Sequence, residues 1–226
     1  MPPVGYLDEL KRQAEATRAQ QTKDNTALER NALLTDGSCN SAFRYLSTLA
    51  QQLNVLQPIS KGEFRFDKNT AFRNLKLTDF RADSRLKKLR GAEVFDHVIL
   101  SFDMRTGKRV TLAKDFPPAI EKLEARLRQC GATFESEVIR DPGNGRFLEK
   151  RFAFVADFHG TVRLLPDHDS GWIQFQVVNL GGFETVTVSF PAIEVGPKRL
   201  DELARWIVGE PNTFLVDGHR LRRVEA

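Results

Sequence analysis

The chain has 226 residues, 41% of them hydrophobic and 28% charged, which supplies a self-sufficient core and excludes a disordered or fibrous chain. Net charge is +4, and the excess is local: residues 63–115 carry 13 Lys and Arg against 8 Asp and Glu, residues 1–62 carry 7 against 6, and residues 116–226 carry 14 against 16. Two cysteines, Cys39 and Cys130, make no disulfide framework; with no apolar leader and no run near about 18 apolar residues, the expectation is a cytoplasmic protein with no membrane partner.

Residues 6–34 contain neither Gly nor Pro and read as helix. Their apolar seam is thin: Leu7, Leu10, Ala14, then Gln21, then Leu28 and Ala32. A helix this polar buries little within its own chain, which suits self-association or docking on a protein partner. "TDGSCNS" at 35–41 reads as a stop at Gly37, with Ser38, Asn40 or Ser41 capping the next helix. Cys39, in a turn near a helix start, is placed where a thiolate is favoured. The second helix, over 41–56, has Leu46, Leu49, Leu53 and Leu56 along one side and ends before Pro58. The expectation is a helical hairpin or arm over 1–57, followed by an antiparallel-sheet domain over 58–226.

Residues 65–90 hold nine Lys and Arg against three Asp. Clustered cations with interleaved Phe suit an anion or a nucleic acid, with Arg81, Arg85, Lys87, Lys88 and Arg90 as the binding residues. Phe64 and Phe66, and Leu75 and Leu77, alternate with charged neighbours, the pattern of a strand with a solvated face. That reading is preferred. It buries Leu75, Leu77 and Phe80, and puts Leu86 and Leu89 on a short buried helical turn.

From residue 92 the period is two. "EVFDHVILSFD" and "KRVTLAKD" read as a hairpin joined by "MRTGK". A helix at about 117–130 starts at Pro118 and ends at Gly131. Strands flank "PGNG", "DHDSG" and the glycine pair 181–182. A second helix spans about 197–208, and Asp217-Gly218 reads as a hairpin turn. The class is α+β: an N-terminal helical hairpin, then a mostly antiparallel sheet with two packed helices. Leu123, Leu127 and Phe134 sit 80 residues before Leu203, Ile207 and Phe214, which raises a second expectation of two related ββαβ units.

Catalytic patterns are sparse. His159 and His168, each near aspartates, are the metal candidates, in no established ligand spacing, so no metal and no cofactor is expected. Ser101, Ser136 and Ser189 lie in strand patterns without a nucleophile elbow. Glu135, Glu137 and Glu149 read as exposed strand carboxylates. Trp206, off the main helix stripe, is a candidate partner anchor beside Leu7, Leu10 and Leu28. The leading expectation is a non-enzymatic binding or scaffolding protein with an N-terminal docking arm. The alternatives are an anion or nucleic-acid binder using residues 65–90, and an enzyme whose site is assembled from distant strands.

Overall fold

One helix replaces the expected hairpin. In the computed structural model, which describes residues 6–66 and 69–225, α1 runs unbroken over Tyr6–Leu56. Its 51 residues make it about 77 Å long at 1.5 Å per residue. The readings at residues 1–5 and at Asp67 and Lys68 lie outside the described residues. The polar cluster at 35–41 is helix interior. Thr35 and Ser41 donate their hydroxyls to the carbonyls of Asn31 and Gly37, one turn back. Ser38 Oγ donates to the Ala192 carbonyl, and Asp36 Oδ1 accepts the Phe95 N–H. An interior glycine costs about 1 kcal/mol. Burial of Cys39, Ala42 and Leu46 beside it, together with those two bonds to the body, outweighs that.

The buried stripe of α1 is Thr35, Cys39, Ala42, Leu46, Ala50 and Leu53, spaced at three and four as a helix face requires. It joins the same apolar core as the strands, so the 57/58 boundary separates elements that share one core.

Strands β1 (Phe64–Arg65) and β2 (Ala71–Phe72) form a small ladder. Strands β3 (Lys76–Leu89), β4 (Ala92–Lys114), β5 (Phe134–Arg140), β6 (Phe147–Asp167), β7 (Trp172–Val178), β8 (Glu184–Pro191) and β9 (His219–Glu225) form a seven-stranded antiparallel sheet. Its order is β3-β4-β6-β7-β8-β9, with β5 paired to β6. Helices α2 (Pro117–Gln129) and α3 (Pro197–Ile207) follow β4 and β8. The α+β class and the antiparallel sheet are as expected.

Several boundaries differ. "MRTGK" is a bulge inside β4, where the register with β6 shifts between Arg105 and Arg109. Asp157 Oδ1 accepts the N–H groups of Thr106 and Gly107 and supplies the acceptor the ladder loses there. The hairpin turn is instead Arg90-Gly91, both at positive φ, between β3 and β4. Asp217-Gly218 leads into β9, which pairs with β8, rather than joining two strands of a hairpin. Leu86 and Leu89 end β3 instead of forming a helical turn. Leu86 is 49% exposed, whereas Leu75, Leu77 and Phe80 are buried as expected.

The suggested repeat is not repeated in strand order. The strand after α2 pairs with β6, whereas the strand after α3 returns beside β8, the strand before it. The likeness is one of local pattern.

Alternate residues face the core. Val98, Leu100, Phe102 and Met104 of β4 stand opposite Leu164, Val162, Gly160 and Phe158 of β6. The same layer continues through Phe175 and Val188. The other face presents His97, Ser101, Asp103, Thr161, Arg163, Gln174, Gln176 and Thr187, all partly exposed. An antiparallel sheet tolerates that division, with one face packed and the other wet.

Candidate functional site: the helical arm and the basic edge

The packed part of α1 begins at Thr35. Asn31, one turn earlier, still reaches the body through Nδ2, which donates to the Asp169 carbonyl. Residues 6–27 are exposed on every side, a rod of about 33 Å. Extrapolating the packed stripe backwards from Thr35 passes through Leu28, Gln21, Ala14, Leu10 and Leu7. Leu28 is partly buried; Leu7 and Leu10 are exposed. The stripe thus continues past the last strand with nothing from this chain upon it. Leu33 is 77% exposed at the root of the arm, with Ile193 also exposed in the short 3-10 turn there.

Trp206 is placed differently from an anchor. It is half-buried on α3, its ring 5.6 Å from that of Phe214 and its indole edge against Gly181. It belongs to the core layer beneath α3.

The basic segment is the edge strand of the sheet. Arg81, Arg85, Lys87, Lys88 and Arg90 are all exposed, but they do not form one free surface. Lys87 lies 3.6 Å from Asp96, and Arg90 bonds Asp169. Arg81 and Arg85 stand opposite Ser101 and His97.

The two metal candidates are far apart. His159 lies on β6 and His168 nine residues later in the turn that follows the strand, buried with Nε2 against the Phe95 carbonyl. Among the described residues no three His, Cys, Asp or Glu side chains gather as a metal site would need. His159 instead pairs across the strands with Asp103, Nδ1 to Oδ1 at 3.1 Å, and Arg105 bridges Asp103 and Asp79 at 3.0 and 2.6 Å. Burial pushes the Asp103 carboxyl up, but bonds from His159 and Arg105 outweigh it and hold it below its ordinary range. The carboxylate can orient the imidazole as a base, yet the pair stands on the open sheet face, where water competes for every proton. Sequence spacing concealed it, because 56 residues separate the two members and only strand register joins them.

Cys39 is also a correction. It is buried in the core rather than in a turn, and burial, with the Asp36 charge adding to it, pushes its thiol up to about 12. A reactive thiolate is excluded there. Cys130 is buried too.

A further group of cations went unread in the sequence. Arg65, Lys114, Lys122 and Arg126 line a cleft of about 530 Å³. The available signal was Ala119, Lys122, Leu123 and Arg126 at helical spacing, one face of α2 with two cations four residues apart.

No family model matches the chain, and comparison with curated proteins and with solved structures found no similar one. No helix among the described residues is long and apolar enough to cross a membrane.

Proposed function

We propose that this chain is a non-enzymatic binding or scaffolding protein that acts through its helical arm, and that the arm takes a second copy of itself. One observation carries the reading. The face of α1 that the sheet covers from Thr35 onward continues uncovered to Leu7, so whatever seats there extends an existing interface. The charge pattern favours a like partner. Residues 6–34 hold five acids (Asp8, Glu9, Glu15, Asp24, Glu29) and five bases (Lys11, Arg12, Arg18, Lys23, Arg30), so two copies do not repel. In an antiparallel pair Leu7 meets Leu28 of the second copy and Lys11 meets Asp24, which closes the two-fold contact such dimers use.

Deleting residues 1–27 tests this. The truncated chain keeps every side-chain bond that α1 makes to the body, from Asn31 onward, and is expected to keep its circular dichroism and melting transition. Its mass by light scattering falls to that of a monomer, while the intact chain runs as a dimer. An unchanged mass for a folded truncation overturns the proposal.

Nucleic-acid binding through β3 is the second reading. It is less favoured, because Lys87 and Arg90 already hold carboxylates and Arg85 lies near Asp96, the partner of Lys87.

A further inference from the structure

We infer that the cleft between α2, the strand β1 and the loop 179–184 binds a small polyanion, its charge carried on phosphoryl or carboxylate groups. The inference is independent of the arm. Three separate elements deliver the cations: Arg65 from β1, Lys114 from the end of β4, and Lys122 and Arg126 from one face of α2. Two carboxylates, Glu63 and Glu184, share the lining, and each is held by an arginine outside it, Arg73 at 3.1 Å and Arg223 at 3.1 Å; Glu63 also lies 3.4 Å from Arg65 within the cleft. The Arg73 bond, with smaller contributions from the charges of Arg73 and Arg65, outweighs desolvation and keeps Glu63 below its ordinary range and therefore ionised. Among the described residues the lining carries four positive and two negative side chains, and Arg73 and Arg223 add positive charge behind the carboxylates, so the cleft focuses positive potential.

The walls suit a ligand. The volume of about 530 Å³ falls within the range of small-molecule sites. Phe66 and Phe183, ring centroids 5.3 Å apart and almost fully buried, seal the floor and keep the base of the cleft rigid. Gly181 and Gly182 leave the wall's backbone bare, so an oxyanion can approach the main chain closely. Arg126 is itself buried, its guanidinium bonding the Phe66 carbonyl, so this cation is pre-positioned before any ligand arrives. Lys122 is exposed at the mouth.

Isothermal titration of the full chain with pyrophosphate and with citrate tests the inference. Binding of either at about 1 mM or tighter is expected, and which of the two binds better reports phosphoryl or carboxylate preference. Lys122→Glu, on an exposed face of α2, should weaken binding at least about tenfold with the circular dichroism unchanged. Lys114→Glu, from a different element, should do the same, which separates loss of the cleft from damage to the helix. Lys87→Glu with Lys88→Glu, on the β3 edge, should leave the affinity as it was. The inference is overturned by absence of binding to both probes at about ten times that concentration, by an unchanged affinity in both cleft variants, or by equal loss in the edge variant.

Discussion

Phe102 lies across Gly160 on the neighbouring strand, and Phe80 stacks on it with ring centroids 4.9 Å apart. A Cβ at position 160 would come within 2.5 Å of the Phe102 ring, so the missing side chain is what lets the aromatic pair lie flat on the sheet. Gly160→Ala is therefore expected to destabilise the fold by about 1–3 kcal/mol, read as a lower urea midpoint at unchanged slope. The sequence could not distinguish this glycine from a turn glycine, because "DFHGT" carries no mark of what lies opposite it. Cys39 makes a second point at this scale. Its thiol titrates near 12 in the folded chain against an ordinary value of 9.0. The folded state holds the proton more tightly, so the contribution is complete below pH 9 and is lost as pH rises from 9 towards 12, by at most about 1.4 kcal/mol per unit. Cys39→Ala should flatten the fall in stability between pH 9 and 11, measured by denaturation at each pH. A parallel fall in both proteins would assign the alkaline loss to other groups.

Among the elements, α1 is fastened by amides and carboxyls as well as by leucines. Asn54 Oδ1 accepts the Phe80 N–H and its Nδ2 donates to the Phe80 carbonyl, both at 2.8 Å. This happens where β3 slips register between Thr78 and Arg81 and Asp79 takes positive φ. One side chain thus stands in for a missing ladder rung. Asn54→Ala should cost about 1–3 kcal/mol and speed hydrogen exchange at Phe80 more than at Leu100. The same chemistry explains what was legible in the sequence and what was not. Leu46 and Leu53 declared their helix by spacing, and Phe64, Leu75 and Leu77 declared buried positions by alternation. Asp36 and Ser38 look like turn and cap residues and Asn54 like a polar position on a helix, and only the fold shows that Asp36 and Asn54 bond the sheet and Ser38 the 3-10 turn. Thr106 and Gly107 look like a hairpin loop until Asp157 is placed beneath them. The cleft cations were unreadable for another reason: the three elements that carry them meet only in three dimensions. The cations of β3 have an additional physical role. Both strands at the ends of the sheet order are basic, with Arg81, Arg85, Lys87 and Lys88 on β3 and Arg220, Arg222 and Arg223 on β9. Charge along an exposed edge discourages further strands from adding to it.

At the scale of the whole molecule, a two-layer body with one wet sheet face carries a rod that leaves it beside the Arg90-Gly91 hairpin and the 167–171 turn. That root is pinned by the Asn31 bond to the Asp169 carbonyl, and Arg90 grips the Asp169 side chain from the other side. The wet face, the edge cations and the cleft all belong to the body, whereas the arm is separate from them along one axis, so loss of the arm and loss of polyanion binding should be independent in mutants. The unbroken passage of α1 through residues 35–41 has a consequence for geometry. A flexible joint there would let the tip sample a wide cone. A continuous helix fixes both reach and azimuth: each residue inserted between Leu28 and Thr35 would lengthen the reach by about 1.5 Å and swing the seam by about 100°. Seven added residues would nearly restore the bearing, and two would turn Leu7 and Leu10 to the opposite side. A partner seated on the arm would be met at one distance and one angle, as by a gauge.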